Sequence, residues 1–473
     1  MNDYDYILKE EKGTDLFFRS ALASEFDPQI DGKKGTALFL GLQKTINGGE
    51  KGDCFFYNKC EIVYFNLNNI GYRKGLIMRD VVVIGAGLHR YGIFPEKTNI
   101  DMGTEAISLA LKDAGMAWKD IEAAYCGTVQ PGVSGGHAIC NKMGYTSLGI
   151  TIVENASASG SCAFREAYLS VASGENDIVL AFGIDKLGSQ LQAVPPESKQ
   201  PQPKPENVVP PESKQPQPEP ENGERVDSKF KKVLPVQYFA GLAQHYMKEY
   251  GVTREQLGQV SVKSHFNASL NPYAHFQKPC TLEQANNARM VVDPLTVLHC
   301  CPMDDGAAAV IVCARETAKK YTDKLCPTVV ASVNKSTPED GDFFITLTRL
   351  ASQEAYKKAG IGPEDLDLIE LHDAFTIEEI IYLESLGLCE MGQGGKLVQD
   401  GVTAITGKHP INTSGGLISM GHPVGPTGVG QVAEILWQMR RQCGKRQILK
   451  PVNYALAHMV GAGGVCVIHL FKK

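Results

Sequence analysis

From residue 80 onward the apolar positions fall into a repeating rhythm. Short Val, Ile and Ala runs, beginning with DVVVIGAG at 80–87, alternate with amphipathic stretches such as 102–115. Short apolar runs read as buried strands and a period near 3.6 reads as helix, so the alternation predicts an α/β chain. Two stretches break the rhythm. Residues 1–77 carry isolated aromatics with weak periodicity and read as an N-terminal extension, poorly ordered, with Met78 as the natural start of the regular pattern. From Pro195 the run PPESKQPQPKPEN recurs as PPESKQPQPEPEN from Pro210. Proline at that density excludes helix and sheet, which predicts an extended, mobile insertion over 193–228.

Between these stretches the chain matches itself. LKDAGMAWKDIEAAY at 111–125 aligns without gaps on YKKAGIGPEDLDLIE at 356–370, sharing the Lys, the Ala-Gly pair and an Asp followed by Ile or Leu. Each copy predicts a helix end, a glycine stop, a short turn and a buried strand. Asn155 to Gly183 is echoed by Asn412 to Gly461: an Asn, a Gly/Ser-rich turn, a helix, then a strand ending in Gly. Two copies of one α/β unit of about 120–150 residues account for this, and a site would lie between them, built from corresponding loops.

Composition narrows the chemistry. With 43% hydrophobic residues in 473, most of the chain can bury large cores. Lys plus Arg number 47 against 53 Asp plus Glu, a net charge of -6 that offers no general basic face to nucleic acid or to an anionic membrane. No run approaches the roughly 18–20 apolar residues of a membrane helix, and residues 1–30 lack a secretory layout, so the expected location is cytoplasmic. The 13 cysteines include the adjacent pair Cys300–Cys301 but no C-x-x-C, and those in apolar runs, such as Cys313 and Cys466, read as reduced, buried thiols. Gly85-Ala86-Gly87 fails as a dinucleotide fingerprint, because the third glycine would fall at Arg90. No phosphate loop and no metal-ligand spacing occur, so neither a metal nor a permanently bound cofactor is expected.

Three polar, glycine-rich turns remain. Asn155 to Cys162 (NASASGSC) leads into a helix-like run, where free N–H groups and the positive end of the dipole favour a nucleophile whose attack creates an oxyanion; a serine-rich helix cap is the simpler reading of this turn taken alone. LHDAF at 371–375 follows the repeated strand directly and puts His372 at a strand's C-terminal end, where open α/β folds hold ligands. Gly415 to Gly428 packs glycines and prolines around His422, a rigid setting for a group that serves as base and as hydrogen-bond donor.

Together NASASGS, SHFNASLNPYAHF (264–276), DPLTVLHCCPMDDGAAAVIV (293–312), HDAF, SGGLISMGHPVGPTG (414–428) and HMVGAGGVCVIHL (458–470) make the chain from about 79 onward resemble the thiolase superfamily, in particular its sterol-carrier-protein and archaeal-type branches. The resemblance implies a duplicated thiolase fold of five layers, α-β-α-β-α, with an inserted loop domain. The implied divisions are 1–77 extension, 78–192 N-terminal half, 193–228 insertion, 229–300 loop region, 301–325 end of the N-terminal half, and 326–473 C-terminal half. It implies coenzyme A and acyl-CoA as substrates, a homodimer or larger assembly, and a small zinc-ribbon/OB-fold partner protein supplied as a separate chain. It places the nucleophile at Ser157, the activating base at His422, one oxyanion site at His372, and a second at the backbone N–H groups of Ser157 and Gly461.

The chain departs from the family pattern at two points. Ser157 stands where relatives have Cys, and an alcohol is less acidic than a thiol and forms a stabler ester, which slows both acylation and onward transfer. Met459 stands in the terminal turn where many relatives have an acid/base Cys, a role that could pass to His458 or to substrate groups. Cys162, five residues past Ser157, lies too far along the helix to replace it. Two readings are open: a CoA acyltransferase performing β-ketoacyl-CoA thiolysis or Claisen condensation through an acyl-enzyme, or a non-catalytic acyl-CoA-binding subunit beside a catalytic partner. The rings of Tyr238, Phe239, Tyr246, Phe266, Tyr273 and Phe276 read either as an acyl pocket or as core.

Overall fold

The computed structural model describes residues 78–130, 135–189, 235–338 and 344–473, together with the backbone of four short strands before residue 78. The chain divides into two compact units, Met1–Ile77 and Met78–Lys473. In the first, Tyr6–Lys9 pairs antiparallel with Asp15–Phe18, and Asp53–Asn58 with Glu61–Asn66. The expected Pro-rich insertion at 193–228 lies outside the described residues, as does the rest of the N-terminal extension.

The second unit is built on nine strands: β1 (Val81–Gly92), β2 (Ala123–Gly127), β3 (Gly149–Val153), β4 (Ile178–Lys186), β5 (Asp305–Ala314), β6 (Thr328–Ser336), β7 (Leu368–Glu370), β8 (Tyr454–Gly461) and β9 (Val465–Lys472). Their helices are α1 (Asn99–Ala114), α2 (Ser159–Ser173), α3 (Pro235–Tyr250), α4 (Arg254–Ser269), α5 (Ile345–Ala359), α6 (Thr376–Ser385) and α7 (Thr427–Met439). The spatial order is β7-β8-β9-β6-β1-β5-β4-β2-β3. Outward from the single β6–β1 pair, Thr328↔Val82, the two halves repeat one scheme. β1, β5 and β4 are successively antiparallel and β2 joins β4 in parallel; β6, β9 and β8 are successively antiparallel and β7 joins β8 in parallel. The self-match in the sequence is therefore a duplication in space. Its two helix stops are α1 and α5, each closed by a left-handed glycine, Gly115 at φ 73° and Gly360 at φ 68°.

The central strands are covered on both faces, so they read as continuous apolar runs. On β5, Ala307, Ala309 and Ile311 face an outer cluster with Met102, Ile107 and Leu111 of α1, whereas Ala308, Val310 and Val312 face inward with Phe164 and Val171 of α2 and Val432 and Leu436 of α7. In the other half, Leu347 and Ala351 of α5 and Ile380 of α6 cover Ala331 of β6 and Ile468 of β9. Helices α2 and α7 thus form the middle of five layers, one from each half. Among the described residues no helix is long and apolar enough to cross a membrane, and no cluster of three potential metal ligands occurs.

The two middle helices meet over small residues. A Cβ at Gly160 would collide with the carbonyl oxygen of Gly425, one at Gly428 would come within 2.7 Å of the Ser161 amide nitrogen, and one at Gly183 within 2.5 Å of Pro426 Cα. Backbone cannot yield as a side-chain tip does. Gly160→Ala is therefore expected to destabilise the fold by about 1–3 kcal/mol in urea unfolding. Gly241→Ala, in the exposed face of α3 where an added Cβ meets nothing within 4 Å, is expected to be neutral or to stabilise by about 0.5–1 kcal/mol.

Candidate active site

Ser157 stands one residue ahead of Ala158, the N-cap of α2, and is half-buried. The turn that presents it is closed by its own backbone: Ala158 N donates to Asn155 O at 3.0 Å and Ser159 N to Ala156 O at 3.1 Å. The Ser159 hydroxyl braces it from below, donating to Ala156 O at 2.6 Å and accepting from Asn155 N at 2.8 Å. Ala156 is left in the left-handed region at φ 49°, a strain of about 1–3 kcal/mol that persists only because the surroundings hold it.

His422 arrives from the other half. Its Nε2 lies 3.0 Å from Ser157 Oγ, and its Nδ1 lies 2.9 Å from Thr427 Oγ1 in the first turn of α7. With the proton on Nδ1 and donated to Thr427, Nε2 presents the lone pair that accepts the Ser157 proton. The loop is pinned by Gly425 N donating to Asp185 Oδ2 at 2.7 Å, and Val424 is held at φ 68°. Burial first, then the charge of His372, push the His422 imidazole well below its ordinary pKa, so it rests neutral.

His372 follows β7, and its ring meets that of His422 edge to face, centroids 5.7 Å apart. Its Nδ1 is 2.9 Å from Oε1 of Glu378 in the first turn of α6. That carboxylate also accepts from Tyr382 OH and from Phe375 N, each at 2.9 Å. His372 Nε2 is buried without a partner, an arrangement in which a protonated Nε2 can donate to an incoming oxygen. Gly461 closes β8 against the nucleophile turn, where a Cβ would collide with Asn155 O. Ser157, His372, His422 and Gly461, taken from four separate stretches of sequence, are thus brought to one place.

Other expectations are corrected. His458 does not reach this site: strand alternation turns Ala457 and Met459 toward α2 and α7 but His458 toward α5 and α6, where its Nε2 lies 3.1 Å from Thr348 Oγ1 and its ring against Tyr382. Burial pushes it down to about 3, so it stays neutral. Met459 packs with Ala158, Cys162 and Val467 beneath the nucleophile turn, and burial raises the Cys162 thiol to about 11. Of the aromatic set, Phe239 stacks on Phe375, Tyr273 stacks on Trp437 and Tyr246 is buried, which is core packing; Phe266 is exposed. The supporting residues Glu378, Thr427 and Asp185 escaped sequence reasoning. Thr427 lies within the glycine-rich GHPVGPTG run, whereas Asp185 reads simply as the end of an apolar strand.

Comparison with known proteins identifies the family to which this fold belongs. Residues 81–316 match the thiolase N-terminal domain and residues 330–469 the thiolase C-terminal domain-like family. The chain is 38% identical over 411 residues to an acetyl-CoA acetyltransferase of Methanothermobacter thermautotrophicus, covering 84% of this chain and 100% of that one. It is 34% identical over 414 residues to sterol carrier protein 2 of Oryctolagus cuniculus, covering 85% of this chain and 73% of the relative. A solved chain of the Ltp2-ChsH2(DUF35) aldolase superposes with a TM-score of 0.68 at 22% identity, over 84% of this chain and 98% of that chain. With both domains matched in order across a duplicated core, the chain belongs to the thiolase family of CoA acyltransferases.

Proposed function

We propose that this chain transfers acyl groups between CoA thioesters through an ester on Ser157, cleaving β-ketoacyl-CoA by thiolysis or running the reverse condensation. The observation that carries the reading is the 3.0 Å contact between Ser157 Oγ and His422 Nε2 beside the unpartnered Nε2 of His372. His422 takes the hydroxyl proton as the oxygen attacks, and His372 Nε2 and the backbone N–H groups of Ser157 and Gly461 receive the oxyanions. Coenzyme A enters and leaves as substrate.

A specific feature also favours the second reading, an acyl-CoA-binding subunit beside a catalytic partner. Serine replaces the family's cysteine, and the Ltp2-ChsH2(DUF35) assembly has a chain of this fold in complex. A separate zinc-ribbon/OB-fold protein is the partner we propose. For the homodimer, support comes from β3, an edge strand whose Ile152 is 40% exposed immediately before the nucleophile turn. The cytoplasmic placement rests on the described cysteines, all free thiols.

Intact-mass spectrometry after incubation with acyl-CoA is expected to show one acyl adduct, mapping to the peptide that carries Ser157 and absent in Ser157→Ala; acyl-CoA binding with no adduct favours the subunit reading. His422→Ala is expected to slow acylation about 10²–10⁴-fold, and Ser157→Cys to raise thiolysis. The depressed His422 pKa sets the pH profile: the base form persists below pH 6.5, so acylation is expected to stay flat from pH 8 to about 6 rather than halve near the ordinary histidine value. A rate that halves near pH 6.5 contradicts His422 as the resting base. Ile152→Lys is expected to shift the species seen by light scattering toward monomer.

A further inference from the structure

A neutral imidazole is a base through one nitrogen only, and nothing in His422 itself decides which. Its Nδ1 faces Thr427 Oγ1 at 2.9 Å, where a hydroxyl can either accept or donate. If Thr427 donates to Nδ1, the ring proton sits on Nε2, 3.0 Å from Ser157 Oγ, and the proton of the nucleophile has no acceptor. The tautomer of His422 is therefore settled by where the Thr427 proton goes.

Among the described residues the Thr427 hydroxyl has no second hydrogen-bond partner. One turn further along α7, Gln431 shares its face of the helix. Gln431 Nε2 donates to His458 O of β8 at 3.2 Å; a carbonyl only accepts, so the amide cannot be reversed and Oε1 is the branch turned away from β8. That oxygen is buried without a partner, on a residue 5% exposed. Thr427 and Gln431 both line a small cavity of about 10 Å3, room for one water, whose other polar walls are Tyr91, Glu370 and Ser414. The hydroxyl protons of two of those walls are already committed: Tyr91 OH donates to Pro426 O at 3.3 Å and Ser414 Oγ to Glu370 Oε2 at 2.5 Å. Thr427 is left as the hydroxyl with a proton to give, and Gln431 Oε1 as the acceptor that lacks one.

We propose that this cavity binds one water, which accepts the Thr427 proton and donates to Gln431 Oε1, and that Gln431 is thereby the positioning residue that keeps the His422 proton on Nδ1 and its lone pair on Nε2. The inference rests on the acyl-enzyme reading of Ser157. As the Ser157 oxygen bonds the carbonyl carbon, its proton passes to His422 Nε2. Nδ1 keeps its own proton, shared with Thr427, and the water and Gln431 neither gain nor lose one. A Thr427 oxygen whose proton is already given away is also the better acceptor for the ring once it is charged.

The test labels the histidines of the full chain with 15N and reads which nitrogen of resting His422 carries the proton, its signal assigned by its loss in His422→Ala. Wild type is expected to show Nδ1–H. Gln431→Leu, which keeps the bulk and removes the acceptor, is expected to shift His422 toward Nε2–H and to slow acylation of Ser157 about tenfold or more with KM held within about threefold, a change of tautomer that a merely structural residue would not produce. Gln431→Glu, which restores an acceptor oxygen, is expected to return the proton to Nδ1. A crystal structure of the wild type is expected to show a water within hydrogen-bonding distance of both Thr427 Oγ1 and Gln431 Oε1. An Nε2–H tautomer in resting wild type, no water at that place, or an unchanged tautomer in Gln431→Leu overturns the assignment. Tautomer and water are read without turnover, so a Ser157 that never acylates defeats the acyl-enzyme reading separately from either.

Discussion

The tightest constraint in this molecule is the contact between two helix beginnings. Gly160 and Ser161 of α2 press against Gly425 and Gly428 at the head of α7, with no room for a Cβ at the glycines. Because each helix is preceded by its own functional loop, that approach carries Ser157 from one half to within 3.0 Å of His422 from the other. A Cβ at Gly160 would meet backbone, Gly425 O at 2.3 Å, so it could be accommodated only by moving the helix heads that hold the Ser157–His422 contact. The left-handed Ala156 and Val424 show the same constraint from the other side, since both are strained conformations that only a rigid frame sustains.

Two histidines of one site differ through their second nitrogens. His422 Nδ1 meets a neutral hydroxyl, Thr427, and burial keeps the ring uncharged and ready to accept. His372 Nδ1 meets a carboxylate, Glu378, which orients the ring and leaves Nε2 buried and open to an incoming group. His372 adds to the burial that depresses His422. The division of labour is set by side chains in the first turn of the helix that follows each histidine rather than by the histidines themselves. Serine at the nucleophile position changes the chemistry of the acyl link without disturbing this frame.

Much of the architecture was legible in the sequence because duplication leaves a trace. The match of 111–125 with 356–370 corresponds to two helices stopped by Gly115 and Gly360 and two parallel strands, β2 and β7. His422 drew notice through its glycine- and proline-rich run and His372 through its place directly after a strand, whereas Ser157 as nucleophile and Gly461 entered through the resemblance to the thiolases. His458 misled for a reason that strand parity could have removed: it alternates with Met459 on β8 and so faces the opposite layer. Asp185 was not readable as a supporting residue, since its position depends on which strand ends the fold stacks together, and no local pattern encodes that. The short strands before residue 78 lie where the periodicity is weak.

The central claim is that the crossing of α2 and α7 builds a pocket in which Ser157, His422 and His372 act on one thioester carbonyl. A crystal structure of the wild-type chain with a bound, non-hydrolysable acyl-CoA analogue tests it most directly. The account predicts the carbonyl carbon facing Ser157 Oγ and its oxygen within hydrogen-bonding distance of His372 Nε2 or of the Ser157 and Gly461 amides. A bound analogue whose carbonyl lies away from all of these groups would contradict it.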